Sequence, residues 1–292
     1  MQKPLILPSK RHSLAIYFIL TFAVSWPLWI LSALAMQGQL PFSFPATLGG
    51  LLGAWAPGLV AILLTLGLDG RRATRLLLSR LLVWRVGLGW YLFALLWPIL
   101  LSLLSSGISQ LLGAAPPDFS NPPVVTQYPL PPEAMQVGFL ALLPVIFIIQ
   151  FFGSSLGEEI GWRGFALPRL QAHRTALLSS LILGLIWGVW HLPRLWVPGA
   201  AFDYAGFAWF LVGITLTSVL YTWIFNNTRG SLLLVVLFHT CQAVTNLFLA
   251  SSAYPWVGPA LTLLLVIWIV YRYDPIHLTR LPTAVSRDTL TG

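Results

Sequence analysis

An all-α bundle of about eight membrane-crossing helices is the fold class this chain predicts, and three observations carry it. Of its 292 residues 57% are hydrophobic and only 8% are charged, a composition outside the range of soluble domains. Mean hydropathy is +0.82. Eight apolar runs, bounded by charge, Pro or Gly clusters, each approach the roughly 20 residues needed to cross a bilayer core of about 30 Å. Periodicity of 3.6 is weak within the runs, as it is wherever lipid and protein interior are both apolar. Helix therefore follows from run length and from the need to satisfy backbone groups internally.

The runs lie near residues 13–36, 47–68, 88–113, 136–157, 175–192, 205–226, 231–250 and 254–271. The first follows a basic segment, 1–12, and contains Ala33-Leu34-Ala35, which resembles a signal-peptidase site. Its apolar stretch exceeds the roughly 7–15 residues usual for a signal peptide and seven more runs follow, so it reads as a retained helix. The first three runs occupy 13–113. The next four, within 136–250, hold the candidate chemistry, the eighth is 254–271, and 272–292 is a polar tail. Residues 114–135 are proline-rich and favour an extended, polyproline-like connector. The basic segment 69–87 is expected to lie along anionic headgroups.

Lys and Arg fix the orientation. With the N-terminus cytoplasmic, the inside segments hold Lys3, Lys10, Arg11, Arg71, Arg72, Arg75, Arg80, Arg85, Arg163, Arg169, Arg174, Arg229, Arg272, Arg280 and Arg287, leaving only Arg194 of the 16 cations outside. Both termini are then cytoplasmic by the positive-inside rule, and a multi-pass protein of a bacterial plasma membrane is expected. The net charge of +8 and pI near 10.2 are explained by topology and do not argue for nucleic acid; membrane lipid is the partner they imply. The single cysteine, Cys241, excludes an internal disulfide and a cysteine metal cluster.

Five ionisable residues stand inside or at the edge of apolar runs: Glu158, Glu159, Arg163, His191 and His239. A charge at membrane depth costs about 2.5–3.5 kcal/mol even on the lenient insertion scale, so each is a functional candidate. After the two glutamates the chain continues IGWRGFALPRL with no strong breaker before Pro168, and the helix is expected to run to about Leu167. Glu158 then lies roughly 14 Å from that helix end. Glu159 and Arg163 are spaced i, i+4 in the favourable order for an ion pair. Glu158 points about 100° away around the axis and is left without that cation. A free carboxylate in an apolar site is suited to take a proton from water; the bland alternative is that both acids only neutralise arginines.

His191 closes the stretch WGVWH, with Trp187 one turn below it and Pro193 beyond it. On the same helix Ser180, Gly184 and Gly188 form a small-xxx-small stripe that permits close packing. His239 is expected about 12 Å into the seventh helix, where it either hydrogen-bonds a neighbour or serves a site. If all helices start at one plane, His191 lies about 24 Å from the cytoplasmic side, deeper than Glu158 or His239. The site closes only if its helix starts below the interface, tilts, or meets a displaced fourth helix. Together two histidines and a spare glutamate are the parts for activating water.

This order of motifs, Glu158-Glu159-x-x-x-Arg163, then Trp187-x-x-x-His191, then His239 on a later span, resembles the CPBP family of intramembrane proteases. That family includes the type II CAAX prenyl endopeptidases and bacterial proteins linked to bacteriocin processing and self-immunity or labelled abortive-infection proteins. The resemblance implies a peptide or membrane-protein substrate hydrolysed in a cavity open to the cytoplasm. It implies Glu158 as the base that activates water, His191 assisting, Glu159 paired with Arg163, and His239 binding metal or stabilising the oxyanion. Glu158, His191 and His239 are also a ligand set for Zn²⁺ or another divalent metal, if one is used, while a metal-free mechanism uses the same residues. One departure stands out. The family's last motif is His-x-x-x-Asn, but Ala243 occupies the Asn position here; Gln242 and Asn246 are the nearby amides. A weakened immunity or scaffold protein that binds peptide without cutting is therefore the alternative. A transporter using the charges as a relay has no broken helix or inverted repeat to support it.

Overall fold

The computed structural model describes residues 12–116, 122–127, 139–198, 203–249 and 253–279. Lys3, Lys10, Arg11, Arg280, Arg287, most of the proline-rich connector and the start of the fourth run lie outside the described residues. Every described element is helical. Three long helices come first: α1 (Ser13–Met36), α2 (Ala46–Ser79) and α3 (Leu88–Leu111). A short α4 (Pro123–Gln127) precedes a composite rod. In that rod Phe139–Gln150, a π-helical turn Phe151–Ser155, Leu156–Glu159, a second π-helical turn Ile160–Ala166 and Leu167–Gln171 run on without a break as α5. The remaining helices are α6 (Ala176–Trp190), α7 (Tyr204–Asn227), α8 (Leu232–Phe248) and α9 (Val257–Tyr273).

Six helical stretches are long and apolar enough to cross a membrane, and α8 and α9 are shorter apolar helices of 17 residues each. Outward faces carry Leu63, Leu96, Ile148 and Leu264 rather than charge, as a bilayer solvent demands. The polytopic bundle predicted from hydropathy is the observed fold. Two boundaries differ from expectation. α2 runs on to Ser79 past a break at Gly70, whose φ of +82° suits glycine, so half of the basic segment 69–87 is helical. α5 continues to Gln171 instead of ending near Leu167, because Pro168 falls in the first turn of the final segment, where its missing N–H costs least.

Most of the basic segments meet at one end of the bundle. Arg169 pairs with Asp69 at 2.9 Å, Ser231 Oγ donates to Val83 O at 2.6 Å, and Arg229 donates to the carbonyl of Arg85. At the same end the chain after α9 closes over α6 and α7. Ala176 N–H donates to Ile276 O at 2.7 Å, and the Asn226 and Asn227 amides donate to the carbonyls of His277 and Leu278. Arg194 follows α6 at the opposite end. Arg163, counted among the inside cations and expected on the continuing helix, is fully buried inside α5.

Interhelical contact relies on small residues, as it does where lipid removes the hydrophobic drive for helix association. A Cβ on Gly184 would stand 2.7 Å from Thr215 Cα, and one on Gly188 2.8 Å from Ile214 Cγ2, so the expected stripe on α6 is the seam with α7. A second seam was legible only in retrospect: a Cβ on Gly58 of α2 would lie 2.5 Å from Gly157 O, and one on Gly157 2.9 Å from Trp55 Cα. This approach fixes α5 immediately before the two glutamates. Gly58→Val should therefore lower stability by about 1–3 kcal/mol or more, read as thermal unfolding in detergent. Gly67→Ala, with nothing within 4 Å of the added carbon, should leave the transition in place.

Candidate active site

Glu158 and Glu159 sit in the one α-helical turn of α5 between its two π-helical turns. Such wide turns are rare and concentrate at functional sites. Adjacent in sequence, the acids have different surroundings. Arg163 Nη1 donates to Glu159 Oε1 at 2.9 Å, and both side chains are 0% exposed. His239 Nδ1 reaches the same Oε1 at 2.9 Å. The guanidinium is sandwiched between the rings of Trp187 at 4.2 Å and Tyr221 at 3.9 Å, and its Nη2 donates to Ser218 Oγ at 3.3 Å. Glu159 is thus enclosed by α5, α6, α7 and α8.

Among the described residues Glu158 takes a single hydrogen bond, donated by the indole Nε1 of Trp187 to Oε2 at 2.7 Å. Its other oxygen is not held in that bond, and the residue keeps 4% exposure against 0% for Glu159. His191 keeps 6% and the His239 side chain 12%. The three groups expected to do chemistry are those with residual access, and the expected ion pair is the enclosed one.

Trp187 joins these parts. Its carbonyl accepts from His191 Nδ1 at 2.8 Å, so Nδ1 carries the hydrogen and Nε2 presents a lone pair. Its ring lies 5.9 Å from that of His191 and 5.4 Å from that of His239. His239 Nδ1 donates in the same way to the carboxylate that Arg163 holds. Gln242, three residues beyond His239, accepts from the hydroxyl of Tyr221 at 3.1 Å. Asn246 is on an exposed part of α8 and Ala243 carries no polar group.

The apparent mismatch in depth disappears with the true helix starts. Gln171 ends α5 thirteen residues beyond Glu158, about 20 Å away, which brings Glu158 near the level of Trp187. α8 begins inside the bundle: a Cβ on Gly164 would lie 3.3 Å from Leu232 Cδ1. His239 and Glu159 therefore meet although their distances from their own helix ends differ.

The donor types suit a divalent ion, since two imidazole Nε2 lone pairs and a carboxylate oxygen are common ligands. Yet among the described residues no three His, Cys, Asp or Glu side chains converge closely enough to hold one. The arrangement is not a closed ligand set.

Residues 140–245 match the family model of the type II CAAX prenyl endopeptidases, Rce1-like. Over that stretch the chain is similar to a family of prenyl endopeptidases. That region includes every candidate residue above except Asn246, which lies one position past it. Over 291 residues, 92% of this chain and 97% of the relative, it is also 26% identical to CAAX prenyl protease 2 of Methanococcus maripaludis. Likeness to that relative extends across α1–α3 and α9, which hydropathy alone had supported.

Tyr221 and Ser218 were not among the residues singled out from sequence. Their signal was slight: a serine and a tyrosine i, i+3 in an otherwise apolar span. The two glutamates should differ in stability as they do in surroundings. Arg163→Met, leaving Glu159 buried and unpaired, should cost about 3–5 kcal/mol, whereas Glu158→Gln should stay within about 1 kcal/mol. Detergent melting curves showing equal losses would refute that division.

Proposed function

We propose that the Rce1-like core hydrolyses a peptide bond within the membrane, with Glu158 as the base that activates water. The observation that carries this reading is the contrast between the acids. Glu159 is enclosed by Arg163 and His239, while Glu158 is held through one oxygen and retains access.

Water placed between Glu158 Oε1 and His191 Nε2 would give its proton to the carboxylate as its oxygen attacks the scissile carbonyl. The proton on Glu158 would then pass to the leaving amine as the tetrahedral intermediate collapses, so one group serves as base and then acid. Trp187 holds Glu158 and orients His191, which keeps both reacting groups in place before substrate arrives. No step in this scheme requires a metal. A divalent ion would need Glu158, His191 and His239 to close around it, which they do not do as placed.

The basic end of the bundle would face the cytoplasm, following the positive-inside rule. The name of the methanococcal relative makes a peptide ending in a prenylated Cys-a-a-X sequence the first substrate to try. Replacement of the family's Asn by Ala243 supports a second reading, a protein that binds peptide without cutting it.

The test compares cleavage of a farnesylated Cys-a-a-X peptide and its unlipidated counterpart by wild type, Glu158→Gln, His191→Ala and His239→Ala. Wild type should cleave and Glu158→Gln should lose at least about 10²-fold, the lower end of a general base's contribution. Cleavage surviving all three substitutions would end the protease mechanism; binding of both peptides with no cleavage by wild type would favour the second reading. Activity should also survive chelation, and loss restored by added Zn²⁺ would overturn the metal-free scheme.

A further inference from the structure

Charges at the basic end of the bundle do not balance. Arg169 is answered by Asp69 at 2.9 Å, but Arg80, half-buried at the end of α2, pairs with no carboxylate among the described residues. Its Nη1 donates to Gly164 O at 3.4 Å, and its guanidinium lies 5.5 Å from the centre of the Phe225 ring. Arg169 Nη1 donates to the next carbonyl, Phe165 O, at 3.1 Å. The two like charges therefore stand over adjacent residues of α5 and repel each other. A guanidinium does not shed its proton in a protein. Two of them with one acid call for a further anion.

The turn after Arg80 supplies the surroundings. Residues 80–87 join α2 to α3, and Val83 N–H folds back to Arg80 O at 3.4 Å. Arg229, exposed between α7 and α8, reaches the same turn by donating to the carbonyl of Arg85, from a backbone whose φ of +59° side chains rarely adopt. Ser231 fastens the turn through Val83 O at 2.6 Å. Within it Leu82 is 76% exposed and Trp84 57%. Bare apolar side chains set among cations suit the boundary between acyl chains and headgroups.

We propose that Arg80, flanked by Arg229, binds the phosphate of an anionic phospholipid whose acyl chains run along Leu82 and Trp84. Basic pockets between membrane helices take such headgroups, and a guanidinium matches phosphate through paired, charge-assisted hydrogen bonds. Inorganic phosphate has the same charge but no chains to cover the exposed apolar side chains, so the lipid is the occupant. Once bound it joins α2 to α5 beside the α7–α8 turn.

The experiment titrates the full-length protein in detergent micelles with phosphatidylglycerol and, separately, with phosphatidylcholine, and counts retained lipid by native mass spectrometry. Wild type should hold phosphatidylglycerol at least about tenfold more tightly, and Arg80→Gln should lose at least about tenfold of that affinity, as expected for hydrogen bonds between charged groups. Arg72→Gln removes the same charge from an exposed position on α2 about two turns away. It should lose no more than about fivefold, the share of a surface cation. Asp69→Asn releases Arg169 and should tighten binding about fivefold, a gain that a damaged fold does not produce.

Equal retention of the two lipids by wild type would overturn the proposal. Equal losses in Arg80→Gln and Arg72→Gln would do the same, reducing the effect to net surface charge, as would weaker binding by Asp69→Asn than by wild type. Full displacement of the lipid by inorganic phosphate at equal concentration would assign the site to the free anion and equally overturn it. Lipid retention is read without peptide cleavage, so each outcome is independent of the protease mechanism.

Discussion

The ion pair of Glu159 with Arg163, with His239 on the same carboxylate oxygen, is the constraint around which the bundle is arranged. Removing two charges from water carries a penalty of several kcal/mol for each ion, and attraction repays it only with good geometry and further hydrogen bonds. Part of that compensation comes from residues of separate helices, while Glu159 Oε2 and Arg163 Nε find no hydrogen-bond partner among the described residues. Ser218 and Tyr221 come from α7, Trp187 from α6 and His239 from α8, all directed at a pair belonging to α5. A substitution on any one of the four helices therefore alters the environment of a charge that has no access to water.

That arrangement also decides what Glu158 is able to do. The two acids share a backbone turn, so holding Glu159 Oε1 through Arg163 and His239 fixes the position from which Glu158 projects. The π-helical turns before and after them interrupt the regular bonding pattern of α5, and Trp55 uses the first of them, donating from Nε1 to Phe152 O at 2.7 Å. The approach of Gly58 to Gly157, one turn further along the same helix α2, holds the rod against it. A base set on this turn needs little further organisation, which is the condition for strong electrostatic assistance in a low-dielectric site.

The sequence disclosed those features that depend on composition or on spacing within one helix. Hydropathy and length located the spans, the i, i+4 relation paired Glu159 with Arg163, and the small-xxx-small stripe located the α6 seam. Features created between helices were hidden. Nothing in WGVWH announces that the Trp187 indole will bond Glu158, because that contact exists only once α6 lies against α5. The depth of Glu158 relative to His191 was misjudged for a related reason: hydropathy gives the length of an apolar run but not the plane at which its helix ends, and α5 runs on to Gln171. Gly157 and Gly161 did bear a readable small-xxx-small spacing, overshadowed by the charges between and after them.

Placing the enclosed acid and the more accessible acid side by side also limits how the site is able to vary. Glu159 is tied to Arg163 and His239, so that carboxylate cannot move without exposing a buried cation or releasing an imidazole. Position 158 inherits this rigidity through the backbone, and its neighbour Trp187 is held in turn by the guanidinium beneath its ring. The remaining freedom lies on α8, where Gln242 is partly buried and Asn246 is exposed. Ala243 lies between them and carries no polar group, so a change on that helix leaves the Glu158–Trp187–His191 arrangement in place.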